Sequence, residues 1–284
     1  MKEYKSFYKN VNTGNEGSLC NYTHRLDTYG CGCSHDCKYC YAKSLLDFRG
    51  LWNPKEPSVA NIDKIRRKLQ KFIGSNIVLR LGGMTDCFQP SERIHRVTYE
   101  TLKILKEYRI EYLIVTKSDL IATDEYIDVL DKDLAHIQVT VTTTDDKLSL
   151  TYENATVPSK RIEAIEKLHS LGFDVQLRLS PYIPEYVDID VINNVKCDKI
   201  LVEFLRANNW IKKWFNIDFS DYTLKSHGYQ HLPLDKKREY LNRIKFKQIS
   251  VCEDVPDHHK YWGENVNHNT NDCCNLTRVV HDSI

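Results

Sequence analysis

The stretch TYGCGCSHDCKYCYAK, residues 28–43, holds four of the ten cysteines of the 284-residue chain. Cys33, Cys37 and Cys40 have the spacing C-x-x-x-C-x-x-C. Three thiolates on so short a loop can bind three corners of a 4Fe–4S cluster and leave one iron open to a small molecule. The alternative is a structural zinc site that recruits Cys31 or His35 as its fourth ligand.

Outward from this loop, the chain alternates strand and helix patterns between glycines and prolines. Apolar residues at helical spacing run from Ile62 to Phe72 and stop at Gly74, and another helix is predicted from Pro158 to just before Gly172. Ser91 is expected to cap a helix that continues through Leu105. Strands are predicted at 77–81, 112–116, 137–142, 173–179, 199–204 and 247–252.

This alternation predicts βαβ units, and therefore an α/β fold with a mostly parallel sheet. We expect a partial (β/α)6 TIM-type barrel with about six parallel strands, in which the cysteine loop follows the first strand. No repeat or linker divides the chain, so a single domain is predicted. Its core would span about residues 20–252, and a cysteine-containing C-terminal extension over about 253–284 would close the barrel.

Three of the predicted strands alternate polar and apolar residues more strictly than a strand buried on both faces should. In a barrel the apolar face packs under the helices and the polar face points into the lumen. A polar lumen indicates a ligand cavity, whereas the alternative is a sheet with one face in water. The polar sets are Gln138, Thr140 and Thr142; Gln176, Arg178 and Ser180; and Gln248, Ser250 and Cys252.

Composition narrows the class of protein further. Forty basic and 39 acidic residues leave a net charge of +1, which excludes binding to nucleic acid or membrane by bulk charge alone. No run of 18 apolar residues predicts a membrane span, and MKEYKSFYKN lacks the apolar segment of an export signal. We therefore expect a cytoplasmic protein without a membrane partner, whose cysteines are metal or redox ligands rather than disulfides.

The motif Cys37-Lys-Tyr-Cys-Tyr-Ala-Lys43, with Thr85-Asp86 at the next strand exit and Val115-Thr-Lys117 at the one after, resembles the radical S-adenosylmethionine (SAM) superfamily, and within it the spore photoproduct lyase branch. The superfamily resemblance covers about residues 27–205. It implies a 4Fe–4S cluster on the cysteine triad, reductive cleavage of SAM to methionine and a 5′-deoxyadenosyl radical, and hydrogen abstraction from a substrate. A flavodoxin or ferredoxin would supply the electron.

The same resemblance assigns SAM contacts to particular positions. For each polar residue among them, a satisfied hydrogen-bonding group at a strand end is the alternative. The implied contacts are Tyr39 at the adenine, Gly82 and Gly83 at the methionine amino group, Lys117 at the carboxylate, Thr85, Thr140 and Thr142 at the ribose, and Arg178 and Ser180 on the fifth strand.

The chain departs from the lyases at the cysteine that returns a hydrogen atom to the product radical. Gly83 occupies the matching position, and Cys87 follows four residues later. Cys87, Cys252, Cys273 and Cys274 are therefore catalytic candidates, as hydrogen-atom donors, auxiliary-cluster ligands or a redox pair, with inert buried thiols as the alternative. We expect Cys252 and at least one of the other three to face the SAM cavity, and the extension to exclude water from it.

Three functions remain open from the sequence. The first is a radical SAM enzyme acting on a nucleic-acid component or another sizeable substrate. The second is a peptide- or protein-modifying radical SAM enzyme with an auxiliary metal site in the C-terminal segment. The third is a non-catalytic nucleic-acid module with structural zinc. Metal content separates these functions. About four irons per chain would favour the first function, clearly more iron would favour the second, and zinc without sulfide would favour the third.

Overall fold

The computed structural model of the chain describes residues 6–9 and 19–277. The strands are β1 (Phe7–Lys9), β2 (His24–Leu26), β3 (Tyr29–Gly30), β4 (Ser58–Val59), β5 (Val78–Leu81), β6 (Glu111–Thr116), β7 (Ala135–Val141), β8 (Asp174–Tyr182), β9 (Lys199–Phe204), β10 (Leu224–Ser226), β11 (Tyr229–His231) and β12 (Gln248–Val251). The helices are α1 (Tyr41–Asp47), α2 (Ile62–Leu69), α3 (Glu92–His95), α4 (Val97–Tyr108), α5 (Asp124–Val129), α6 (Asp146–Ser149), α7 (Pro158–Ser170), α8 (Ile189–Asn193), α9 (Asn209–Trp214), α10 (Leu234–Leu241) and α11 (Pro256–Asn265).

An eight-stranded sheet with the order β1-β2-β5-β6-β7-β8-β9-β12 forms the centre of the fold. All neighbours from β2 to β12 are parallel, and only the edge strand β1 pairs antiparallel. This open parallel α/β sheet confirms the predicted partial barrel. Within the described residues the sheet has seven parallel strands, β1 being excluded, whereas about six were predicted. The additional strand is β2 (His24–Leu26), which is too short to stand out in the sequence as an apolar run.

Helices on the outer face cover the apolar side of the sheet. Ile65 and Leu69 of α2 and Leu102 and Leu105 of α4 are buried there. The helix predicted from Pro158 is α7, and Gly172 follows it with φ +80°, as expected for a residue that ends a helix. None of the described helices is long and apolar enough to cross a membrane.

The single helix predicted after Ser91 is wrong. Arg96 has φ +55° and divides the segment into α3 and α4, and Ser91 makes no capping hydrogen bond. The buried Glu92 carboxylate instead accepts hydrogen bonds from the backbone N–H groups of Thr98 and Tyr99, at 2.9 and 2.8 Å. The Glu92 side chain therefore satisfies the free N–H groups at the start of α4. It can reach them only because the backbone breaks between α3 and α4.

The lumen of the barrel is polar, as the alternation predicts. Gln138 Nε2 donates to Gln176 Oε1 at 2.9 Å, and Arg178 Nη1 donates to Gln138 Oε1 at 2.7 Å. Arg178 also forms an ion pair with Glu203. Gln138, Gln176 and Arg178 are buried, so these polar residues face a protein interior rather than open water.

The C-terminal segment after α11 packs across the amino-terminal ends of the strands. Thr277 N donates to Asp174 at the start of β8, and Lys199 Nζ, at the start of β9, donates to the Asn275 carbonyl. Cys274 packs in an apolar cluster here with Tyr22, Val78, Leu113 and Leu201. Residues up to 277 thus fill the end of the barrel opposite the strand exits, while 278–284 of the expected extension lie outside the described residues.

Replacing Glu92 by alanine should lower the free energy of unfolding by about 3 kcal/mol, because four donors would lose their buried acceptor. Besides the two N–H groups, these are the Tyr29 and Tyr126 hydroxyls, at 2.5 and 2.6 Å. Urea denaturation measures the change. Glu107→Ala is the control, because Glu107 makes only an exposed pair with Arg66 and should change stability by less than about 0.5 kcal/mol. Equal effects of the two substitutions would contradict the role of Glu92.

Candidate active site

A cavity of about 570 Å³ opens where the parallel strands end. Parallel barrels assemble their active sites at this end of the strands. The cysteine triad and the exits of β5, β6, β9 and β12 all contribute to its wall. The residues of the triad in this wall are Cys33, Cys37 and Cys40.

The triad loop is held by backbone hydrogen bonds to a single distant segment. Lys38 N donates to the Tyr152 carbonyl at 2.9 Å, and Asn154 N donates to the His35 carbonyl at 2.7 Å. Cys40 is the N-cap residue of α1, where its sulfur accepts from Lys43 N at 3.5 Å. The loop is therefore anchored at His35, Lys38 and Cys40.

The three thiols suit a cluster better than a single ion. Among residues 6–9 and 19–277, no group of three His, Cys, Asp or Glu side chains stands close enough to hold one metal ion. A 4Fe–4S cluster does not need such closeness, because each thiolate binds a different iron. Burial raises the pKa of Cys33, Cys37 and Cys40, that of Cys37 to about 12, so deprotonation requires a bound cation such as iron.

Asp86 joins the triad loop to two strand exits. Its carboxylate accepts hydrogen bonds from Thr116 Oγ1 and the backbone N–H groups of Lys117 and Phe88, at 2.7 to 2.8 Å. His35 Nε2 lies 3.2 Å from the same carboxylate. Burial raises the pKa of Asp86, but His35 and the N–H donors outweigh it and lower the pKa to about 2. Asp86 is therefore a fixed negative charge beside the triad.

Glu153 is a second buried carboxylate beside the triad. It accepts a hydrogen bond from the Tyr39 hydroxyl and forms an ion pair with Arg161, in which both side chains are 0% exposed. Thr142 Oγ1 donates to it at 3.1 Å, and Cys37 Sγ lies 3.9 Å away. This network fixes the orientation of the Tyr39 ring in the cavity wall.

The glycine turn after β5 requires glycine at its first position. Gly82 has φ +77°, and a Cβ there would lie 2.9 Å from the Thr85 carbonyl oxygen. Gly83 N donates to Asp27 Oδ1 at 2.7 Å, and the Tyr41 hydroxyl donates to the Gly83 carbonyl. The close approach of two backbone segments thus excludes any side chain at residue 82.

Eight of the nine positions that the resemblance assigns to SAM line the cavity. Lys117 Nζ lies 5.6 Å from the Tyr39 ring, and both Arg178 and Ser180 contact Glu203. Thr142 is the exception, because its hydroxyl lies in the wall, bonded to Tyr152 and Glu153. The eight are Tyr39, Gly82, Gly83, Thr85, Lys117, Thr140, Arg178 and Ser180.

The structure divides the four candidate catalytic cysteines into two pairs. Cys252 and Cys273 line the same cavity as the triad. Cys87 does not line it, because its side chain is buried in the core behind the wall, where burial raises its pKa. Cys274 does not line the cavity either, because it is buried in the apolar cluster of Tyr22, Val78, Leu113 and Leu201, against which Cys252 and Cys273 pack.

Cys252 and Cys273 interact through their side chains, and this drives their pKa values apart. A hydrogen bond from Cys273 lowers the pKa of Cys252, and the nearby Arg178 and Arg80 add to that effect against the opposing effect of burial. The same hydrogen bond, one to Cys274 and burial all raise the pKa of Cys273. Cys252 is therefore the thiolate-forming member of the pair, and Cys273 keeps its proton.

Sequence reasoning missed the carboxylates that support this site. Glu153 and Glu203 belong to no spacing motif, and only their tertiary neighbours reveal them. Asp86 could have been found, since it directly follows Thr85 at a strand exit. Arg25 and Arg80, which also line the cavity, were missed because Arg25 lies in the short strand β2 and Arg80 in a strand read only as apolar.

Comparison with known proteins agrees with this geometry. The sequence model of the radical SAM superfamily matches residues 28–196, more than half of the chain. The chain therefore belongs to the radical SAM superfamily, and it is a radical SAM enzyme. Membership implies SAM and an iron–sulfur cluster as cofactors.

Individual relatives are more distant. An uncharacterized protein of Methanocaldococcus jannaschii is 28% identical over 165 residues, which are 57% of this chain and 61% of that protein. The chain thus spans less than two thirds of that relative's length.

Two solved structures share the fold. A spore photoproduct lyase variant with bound AdoMet and dinucleoside spore photoproduct has a TM-score of 0.58 and 14% identity over 84% of this chain and 80% of its own. SuiB of Streptococcus suis bound to the precursor peptide SuiA has a TM-score of 0.56 and 14% identity over 81% of this chain and 48% of its own. At these identities the likeness concerns the fold alone.

Gly82→Ala should destabilise the protein more than Gly74→Ala. Both glycines have positive φ, where an alanine costs about 1–2 kcal/mol, but a Cβ on Gly74 meets nothing within 4 Å. Only the change at residue 82 also pushes the glycine turn away from the Thr85 carbonyl. Thermal unfolding of both variants, with calorimetric titration of SAM, measures the difference, and equal losses of stability with unchanged SAM affinity would contradict it.

Proposed function

We propose that this chain binds a 4Fe–4S cluster through Cys33, Cys37 and Cys40, binds SAM against it, and takes a hydrogen atom from a C–H bond of a substrate in the same cavity. When bound and reduced, the cluster with SAM supplies a 5′-deoxyadenosyl radical for that step. The observation that carries the proposal is that the triad, the glycine turn and Lys117 all line one cavity of about 570 Å³.

The chain's own residues provide the SAM site in this proposal. The Lys117 ammonium would bind the methionine carboxylate, and the cavity-lining backbone of Gly82 and Gly83 would meet the amino group. The Tyr39 ring, oriented by Glu153, would pack against the adenine, and Thr85 and Thr140 would contact the ribose. Support comes from their common position in the cavity wall.

In the same proposal, Cys273 is the hydrogen-atom donor to the product radical. Its S–H bond breaks, the product's C–H bond forms, and a thiyl radical remains on the sulfur. An electron from a flavodoxin or ferredoxin and a proton from solvent restore the thiol. Cys252 would position the donor by accepting its hydrogen bond. Support comes from the cavity-lining positions of both thiols and from the proton held on Cys273.

The substrate class proposed first is a nucleic-acid component, acted on in a lyase reaction as in spore photoproduct lyase, whose fold the chain shares. A peptide is the second candidate, because SuiB, with a similar fold, binds a precursor peptide. We place the protein in the cytoplasm, where thiols stay reduced, since all ten of its cysteines are free.

Cys37→Ala should abolish cluster binding, because the cube would lose one of its three protein ligands. Anaerobically reconstituted protein is expected to hold about four irons with acid-labile sulfide and to cleave SAM when reduced, and the variant to do neither. Iron analysis, absorbance and quantification of 5′-deoxyadenosine provide the readouts.

Cys197→Ala is the matched control, because that thiol does not line the cavity and its hydrogen bonds within the described residues go to the backbone carbonyls of Val175 and Lys199. It should keep full iron. Full iron in Cys37→Ala would refute the ligand set and point to Cys31. Zinc without sulfide in the wild-type protein would support the non-catalytic module instead.

Cys252 should react with iodoacetamide at a lower pH than an ordinary thiol, whose pKa is about 8.5. Its lowered pKa means that the reactive thiolate persists below that value and is lost only at lower pH. Cys273→Ala removes the hydrogen bond and should shift the reactivity profile of Cys252 to higher pH, whereas Cys274→Ala should not. Mass spectrometry of alkylated peptides measures the profile. A wild-type Cys252 that reacts only near or above pH 8.5 would rule out the assigned roles.

A further inference from the structure

Two arginines lie side by side in the lumen, one residue layer deeper than the glycine turn. Arg25 of β2 and Arg80 of β5 are register partners on adjacent parallel strands. Both line the cavity that holds the triad. Arg25 is only 7% exposed, and Arg80 precedes Gly82 by two residues. Register partners on adjacent strands point their side chains to the same face of the sheet, so the buried Arg25 and the half-buried Arg80 lie beside each other at the floor of the cavity.

Neither arginine has a carboxylate or hydrogen-bond partner among residues 6–9 and 19–277. The Nε atoms of both are buried and make no hydrogen bond. Other arginines of the same region are paired, Arg178 with Glu203, Arg161 with Glu153 and Arg206 with Asp254. Burying a charge without a partner is costly, and two like charges side by side add repulsion. This arrangement indicates that an anion from outside the chain occupies the site.

The groups that surround Arg80 do not replace that anion. They are the Cys20, Cys252 and Cys274 thiols and the Tyr41 hydroxyl, with Arg178 nearby. The Tyr41 hydroxyl donates its proton in a hydrogen bond to the Gly83 carbonyl, so it is a neutral donor rather than an anion. A thiol is only a weak hydrogen-bond acceptor, and Cys252 also lies near Arg178. No carboxylate therefore stands among the described groups that surround Arg80.

We infer that Arg25 and Arg80 bind a phosphate group of the substrate. Guanidinium groups present forked donors that match a phosphate in pairs, and a phosphate monoester carries about −1.5 to −2 charge at pH 7. That charge matches two arginines better than the single charge of a carboxylate. The inference rests on the proposed function, because the bound phosphate would hold the substrate between the SAM site and the Cys252–Cys273 pair. It favours a nucleotide-type substrate over an unmodified peptide.

The test uses the full chain with its reconstituted cluster, in the presence of SAM so that Lys117 is engaged. Inorganic phosphate and acetate are titrated at constant ionic strength, with calorimetry and thermal unfolding as readouts. Phosphate should bind and raise the melting temperature, and acetate should bind at least about tenfold more weakly.

Arg25→Gln and Arg80→Gln should each weaken phosphate binding about tenfold or more, as expected for loss of a charge-assisted hydrogen bond. Arg49→Gln is the control, since Arg49 lines the cavity but is exposed, and it should bind phosphate as the wild type does.

A second readout separates a binding role from a structural one. Without phosphate, Arg80→Gln should melt at the same temperature as the wild type or higher, because it removes an unbalanced buried charge. A lower melting temperature both with and without phosphate would show that Arg80 is a structural cation and overturn the inference. Equal phosphate stabilisation of wild type and the double variant, or acetate binding as tight as phosphate, would also overturn it.

The outcome is separable from that of the proposed function. Wild-type protein that binds phosphate through Arg25 and Arg80 but does not cleave SAM would refute the radical chemistry and leave the phosphate site standing. Wild-type protein that cleaves SAM but binds no phosphate would refute the phosphate site and leave the radical chemistry standing.

Discussion

The fully buried ion pair between Glu153 and Arg161 is the interaction on which the site depends most. Breaking such a pair leaves an uncompensated charge in a low-dielectric interior, so its geometry is fixed. The Glu153 carboxylate also accepts the Tyr39 and Thr142 hydroxyls. The backbone on either side of it, at Tyr152 and Asn154, binds the triad loop. The loop that carries this ion pair therefore holds the triad loop from a distance, in addition to the local helix cap at Cys40.

A polar lumen distinguishes this barrel from one whose interior is a packed apolar core. Arg178, Gln138 and Gln176 form a continuous hydrogen-bonded chain inside it. Each of these three side chains makes at least one hydrogen bond, although Gln176 Nε2 has no partner among the described residues. Arg25 and Arg80 differ because neither makes a hydrogen bond or an ion pair with the described residues, and a buried polar group without a partner calls for an explanation such as a bound ion.

Two adjacent residues of the C-terminal segment, Cys273 and Cys274, have different surroundings. Asp272 accepts hydrogen bonds from the Tyr22 hydroxyl and from Cys274 N, which fixes the turn. In this turn Cys273 faces the cavity and Cys274 the apolar cluster. One thiol thus lines the candidate active-site cavity, while its neighbour is buried in the apolar cluster.

The sequence by itself determined the features that depend on local spacing. The triad spacing identified the family, and the two-residue period of the strands placed Thr140, Arg178 and Cys252 toward the lumen, because alternate side chains of a strand point to opposite faces. Tertiary structure decided what lies beside these residues. It placed Cys87 behind the wall and Cys273 in the cavity, broke the helix at Arg96 around the buried Glu92, and set Arg25 against Arg80. The direction of a side chain is a local property of the backbone, whereas its neighbours depend on strand register and loop paths, which only long-range packing fixes.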